Sequence, residues 1–253
     1  MKIKILSKKQ FRSLYSNKEK FIISLNNTIY IIRDFISESL IDDILVLCKT
    51  MSISTLPNWH PCVDNSPDYH RLHNNYKKAY VKTKQHGFYF HPWNENRKIF
   101  RSFKSIFDLK LFLMNKSISF SNYMNKIPSD NSILRLVVHK YPPGGYQEEH
   151  VDPVSPFAKV QTIIQATTPS YDYESGGLYV NHDRLGIINI DALTKKGDLI
   201  LMSPGIKHGV AKINQKEKVD FKSVKGRWII MPIIIASDMN KSASKPRGLN
   251  KYQ

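Results

Sequence analysis

Residues 134–153 read LRLVVHKYPPGGYQEEHVDP. Leu134 to Tyr141 is an apolar strand pattern, Pro142-Pro143-Gly144-Gly145 breaks it, and a second short strand runs into His150-Val151-Asp152. Side chains alternate along an extended chain, so His150 and Asp152 share one face and Val151 takes the other. Two ligand-type side chains on one face can grip one metal ion. A His-x-Asp tripeptide is weak evidence by itself, so the sequence around it has to carry the argument.

Downstream, GDLILMSPGIKHGV (197–210) puts His208 at a strand–turn junction, and KGRWIIMPIII (225–235) puts Arg227 at the start of a strand. Two imidazoles and one carboxylate form the ligand set of non-haem Fe(II) oxygenases, which leaves coordination positions open. Three protein ligands with an open position also describe catalytic zinc, which is the alternative metal. Arg227 shares its strand face with Ile229, Met231, Ile233 and Ile235. A guanidinium in such company requires an anionic partner, and a bound carboxylate is the expected one. Arg135, His139 and Tyr141 share a face by the period of two, which directs polar groups inward.

Taken in order, Tyr141-Pro-x-Gly144, His150-x-Asp152, Gly176-Gly177, Gly197-Asp198, His208 and Gly226-Arg227 resemble the Fe(II)/2-oxoglutarate-dependent dioxygenases, in particular the prolyl-4-hydroxylase-like branch. The resemblance covers residues 130–236 and has no counterpart for 1–129. It implies a double-stranded β-helix, or jelly roll, with His150, Asp152 and His208 as catalytic iron ligands. It further implies that Arg227 binds the distal carboxylate of the cosubstrate 2-oxoglutarate with Tyr141 beside it, and that O2 is consumed. The implied reaction is hydroxylation of an unactivated C–H bond. A small polar substrate, an amino acid or a derivative, is the first expectation, with Arg135 and His139 on the substrate side. Hydroxylation of prolyl or other residues in a peptide or protein is the alternative. Nucleic-acid demethylation is disfavoured, because that branch carries a second arginine six residues after the first and Ile233 stands there.

The chain has 253 residues, 41% hydrophobic and 11% aromatic, enough for one sizeable core. Lys and Arg outnumber Asp and Glu by 38 to 21, a formal charge of +17, which favours anionic partners in general. The lysines are spread along the sequence with no block of five, so they describe a solvated surface better than a nucleic-acid footprint. Cys48 and Cys62 have neither disulfide-framework nor metal spacing, and no apolar run reaches the length of a signal peptide or membrane span. The expectation is a cytoplasmic protein without membrane contact, of no stated oligomeric order.

Along the chain, 21–25 and 28–35 read as two short strands and Ser37 as the cap of a helix through Met51. Residues 52–96 lose periodicity and collect aromatic residues with His60, His70, His73, His86 and His91. They are expected to form an ordered loop over the site, with a second metal site disfavoured. Phe100, Phe103, Phe107, Leu111 and Met114 fall at helical spacing as a core stripe over 98–115. Strands are then expected at 132–141, before His150, and at 157–168, 177–181, 185–190, 198–203, 207–213 and 226–236. The fold class is α+β, mainly β: N-terminal strands, helices and loop packed on the core (1–129), the catalytic β-helix (130–236) and a flexible basic tail (237–253).

Overall fold

The computed structural model describes residues 1–54, 59–75, 79, 81–152 and 156–239. The chain runs β1 (Lys2–Leu6), α1 (Lys8–Leu14), α2 (Lys18–Leu25), β2 (Thr28–Ile32), α3 (Glu38–Ser54), β3 (Tyr69–Asn74), β4 (Thr83–Phe90), α4 (Arg97–Ser102) and α5 (Lys104–Leu113). Then come β5 (Ser132–Tyr141), β6 (Tyr146–His150), β7 (Gln161–Gln165), β8 (Gly177–His182), β9 (Gly186–Asn189), β10 (Leu199–Met202), β11 (His208–Ala211) and β12 (Arg227–Ala236).

Strands β10, β7, β12 and β5 lie side by side, and β6, β11, β8 and β9 form a second antiparallel row. This alternation of strands between two rows is the double-stranded β-helix. β4 pairs with both β5 and β6 and joins the rows, while β2 extends the first row beyond β10 and carries β1 in parallel.

Two apolar cores follow from the alternation along each strand. Leu134, Leu136 and Val138 of β5 point outward into a core with Phe11, Ile44, Phe100 and Phe107 of the helices. Tyr141 of the same strand turns inward, where Ile163, Leu178, Val180, Ile200, Val210 and Ile229 fill the space between the rows. Burying both faces removes enough apolar area to hold the rows together, at about 25 cal/mol per Å².

Helix ends are set locally. Ser7 and Gln10 form a capping box for α1, Asn17 accepts from the Lys20 amide to start α2, and Ser37 Oγ accepts from the Leu40 amide at α3. The expected strand at 21–25 is therefore the second half of α2. Its aromatic and β-branched residues suit a strand, yet Phe21 and Leu25 are buried four apart while Ile23 is 66% exposed, a helical spacing. The expected helix over 98–115 is broken at Phe103 into α4 and α5, with Phe100, Phe103, Phe107 and Leu111 buried as anticipated.

The larger correction concerns 52–96. Much of it is sheet, with β3 and β4 forming an antiparallel pair and β4 lying against β5 in register. Thr83, Gln85 and His86 are buried among Phe88 and Phe90, so polar residues inside the fold mask the apolar alternation that marks a strand. Positions 55–58, 76–78 and 80 of the expected loop lie outside the described residues. So do residues 240–253 of the expected tail. Ser237 and Asp238 are buried, and Asp238 exchanges hydrogen bonds with the Cys62 backbone, so the chain is tied down past Ala236. No helix among the described residues is long and apolar enough to cross a membrane.

Candidate metal centre

β6 ends at His150 and β11 begins at His208, and the pairing of the two strands sets these residues opposite each other with ring centroids 4.4 Å apart. The Asp152 amide donates to the Pro204 carbonyl (3.0 Å), which turns the chain after β6 back toward β11. As a result Asp152 Oδ1 lies 3.8 Å from His150 Nε2 and Oδ2 lies 3.6 Å from His208 Nε2. Among the described residues these three form the one cluster of possible metal ligands, with donor atoms within 4.8 Å of one another.

Each imidazole is fixed in the tautomer that a metal needs. His150 Nδ1 is 2.8 Å from the Glu148 carbonyl and His208 Nδ1 is 2.8 Å from the Ile206 carbonyl. A carbonyl can accept but never donate, so both Nδ1 atoms carry the proton and both Nε2 lone pairs face the cluster. Burial, followed by the neighbouring His208, pushes the His150 pKa below the ordinary imidazole value, which favours the neutral form that binds metal. Gln161 Nε2 donates to Asp152 Oδ2, and Gln147 Nε2 lies 3.3 Å from His150 Nε2. The adjacent Val160 carbonyl accepts from the buried Lys110 ammonium at 2.8 Å, tying the start of β7 to α5.

A cavity of about 100 Å³ opens from the cluster, lined among others by His139, Tyr141, Gln147, Gln161, Arg227 and Met231. Arg227 and Tyr141 face each other across β12 and β5, and the guanidinium lies 5.7 Å from the Tyr141 ring centroid. The Tyr141 hydroxyl donates to Gln147 Oε1 at 2.6 Å. Sequence reasoning left Arg227 to await a ligand's carboxylate; instead Asp191 supplies a partner within the chain. Arg227 Nε and Nη2 bond the two Asp191 oxygens at 2.5 and 2.9 Å, with both residues almost fully buried. Burial works against the charge, but Asp191 outweighs it and holds the Arg227 pKa above the ordinary guanidinium value. Nη1 of Arg227 is buried with no hydrogen-bond partner.

His139 lines the cavity, and its Nδ1 is a second buried atom without a partner. Burial lowers its pKa to about 3, so it is a neutral ring. Arg135 is a correction. Although it shares the strand face of His139, its Nη2 bonds Cys62 Sγ at 2.6 Å and His91 Nε2 at 2.9 Å, with the guanidinium 5.7 and 5.4 Å from the stacked rings of Tyr69 and Tyr89. It is not among the residues that border the cavity. Three more histidines of 52–96 are hydrogen-bonded within the fold: His70 bonds His86 (2.9 Å), His86 bonds the Phe221 carbonyl (2.9 Å) and His73 bonds the Tyr89 hydroxyl (3.1 Å), while the His60 ring packs edge-on against Tyr69.

Asp191, Gln165, Tyr173, Gln147 and Gln161 were missed in the sequence. One signal was available for Asp191: Gly177 has φ of 103°, and a Cβ there would sit 2.1 Å from Asp191 Oδ2. The glycine entered the sequence reading only as one piece of the motif order, and in the fold it makes room for a carboxylate.

No family model matches the sequence, and no curated protein matches it. Solved structures do resemble it. A Pseudomonas putida prolyl-4-hydroxylase is 11% identical with a TM-score of 0.49, the match covering 82% of this chain and 92% of that one. A Burkholderia pseudomallei oxidoreductase of the 2OG-Fe(II) oxygenase family is 9% identical with a TM-score of 0.48, covering 91% and 95%. OsALKBH1 is 16% identical with a TM-score of 0.44, covering 81% and 97%. At such identities the side chains of the site, more than the overall trace, are what bear on function.

Proposed function

We propose that the protein is an Fe(II)- and 2-oxoglutarate-dependent oxygenase. The observation that carries this reading is the cavity itself: at one side stand His150, Asp152 and His208 with both imidazoles locked as Nε2 donors, and at the other Arg227 keeps one buried N–H unused. The donor set suits Fe(II), with positions left over for other ligands. The unused Nη1 of Arg227 suits the distal carboxylate of a dicarboxylic cosubstrate, with the Tyr141 ring beside the guanidinium. When bound, iron and 2-oxoglutarate supply the O2-dependent oxidising chemistry, with succinate and CO2 as by-products.

The chain's own residues contribute geometry. His150, Asp152 and His208 hold the metal, Gln161 orients the carboxylate of Asp152, and Ile163, Leu178, Val210 and Ile229 keep the cavity wall dry. The substrate is a small polar molecule, of the amino-acid class, hydroxylated at an unactivated C–H bond. His139 supports this, since a neutral imidazole in the wall offers a hydrogen bond without a charge.

Anaerobic addition of Fe(II) and 2-oxoglutarate tests the reading. A visible metal-to-cosubstrate charge-transfer band is expected, and its shift on adding candidate amino acids identifies the substrate. No band with either Fe(II) order of addition, together with tight Zn(II) binding, would replace the oxygenase with a zinc site.

A further inference from the structure

Arg227 has one edge, Nε and Nη2, closed by Asp191, and the surroundings are built to keep that carboxylate in place. The Tyr173 hydroxyl donates to Asp191 Oδ2 at 2.5 Å and itself accepts from Gln165 Nε2 at 3.1 Å. The Thr194 amide bonds the Asp191 carbonyl, fixing the backbone, and Gly177 leaves the space that the carboxylate fills. Asp191 is 1% exposed and Arg227 0%. A guanidinium so buried needs a counter-charge whether or not a ligand is present.

We propose that Asp191 is the resident counter-ion of Arg227, a positioning residue that compensates and aligns the guanidinium when no ligand is bound and thereby limits how tightly a dicarboxylate is held. The second half rests on the 2-oxoglutarate reading above. A carboxylate reaching Nη1 meets an ion pair instead of a bare cation, so the attraction of the guanidinium is partly cancelled by Asp191 behind it. The unoccupied cavity is stabilised and affinity is reduced in exchange.

Asp191→Asn keeps the shape and removes the charge. Without ligand its Tm should fall, because Arg227 loses compensation. In the Mn(II)-loaded protein, binding of 2-oxoglutarate should tighten on the order of tenfold, with a larger ligand-induced rise in Tm. The preference for 2-oxoglutarate over its 5-amide should widen as well. Equal or weaker binding in this variant, beside a lowered Tm, would overturn the proposal, since that is what loss of a merely structural contact does.

A wild-type protein that binds no 2-oxoglutarate would remove the cosubstrate reading and leave the counter-ion claim to a double-mutant cycle. Asp191→Asn combined with Arg227→Gln should regain much of the stability that either change alone loses. Additive losses, or a double variant that fails to fold when Asp191→Asn folds, would reject it. Should Asp191→Asn itself not fold, a folded double variant supports the pairing and an unfolded one rejects it.

Discussion

His150 and His208 show how a single backbone carbonyl can prepare an imidazole for a metal. Each Nδ1–H is spent two residues back along the chain, at 2.8 Å, so the other nitrogen can do nothing but accept or ligate. His150→Ala, Asp152→Ala and His208→Ala are each expected to abolish tight Co(II) binding, read as loss of the visible Co(II) absorption, while the far-ultraviolet circular dichroism is retained. Tight binding kept by any two of them would refute the triad. Gln161→Leu should weaken metal affinity by roughly 10–100-fold, the usual effect of removing a group that orients a ligand. Arg227→Ala behaves differently because of Asp191. It strands a buried carboxylate, so a loss of roughly 3–5 kcal/mol in unfolding free energy is expected, with Arg227→Lys recovering part. A denaturant midpoint unchanged in the alanine variant would show that Asp191 is solvated or neutral.

At the scale of elements, β8 begins where the inner wall meets the ion pair, and Gly177 permits it. Gly177→Ala would place a methyl group against Asp191 at a backbone angle that L-residues rarely adopt. A destabilisation of at least about 2 kcal/mol is expected from strain and displaced charge together, measured by urea unfolding. Unaltered stability would mean that the turn relaxes freely. Most strands from β5 to β12 were legible because they alternate or run apolar between clear turn residues, with YQEEH of β6 placed only by the Pro-Gly turn before it, and the candidate triad was legible because its members lie at or just beyond strand ends in a readable order. α2 was not, since FIISL satisfies either period and the Asn17 cap decides it. β3 and β4 were not, because His70, Gln85 and His86 are buried polar residues, with His70 bonded to His86 across the pair and His86 to the distant Phe221 carbonyl. Asp191 and Arg135 failed in the same way: a charged residue in sequence announces neither its burial nor its partner, and period two gave Arg135 the correct face without saying where along that face the cavity stops.

For the molecule as a whole, the buried histidines couple folding to acidity. Burial, then the charge of Lys140, lowers the pKa of His70 and His86 to about 4; burial, then Arg71, lowers His73 to about 4. His139 is lowered to about 3, chiefly by burial and next by His73. The His86 ring donates Nε2–H to the Phe221 carbonyl, so its Nδ1 accepts from His70, a chain that requires the His86 ring neutral. An unfolded histidine titrates near ~6.5. Between that value and the folded values the unfolded chain binds more protons than the native one, so stability falls as pH falls. The contribution of these neutral rings is complete above about pH 6.5 and is lost progressively toward about pH 4, where His70, His73 and His86 take up protons in the fold. Urea unfolding of metal-free protein, kept in chelator so that pH-dependent metal release does not enter, should show a loss on the order of several kcal/mol between pH 7 and pH 4. The slope should be steepest once the free histidine begins to charge, and a midpoint constant from pH 7 to pH 5 would show that the His70–His86 pair is not closed off from solvent.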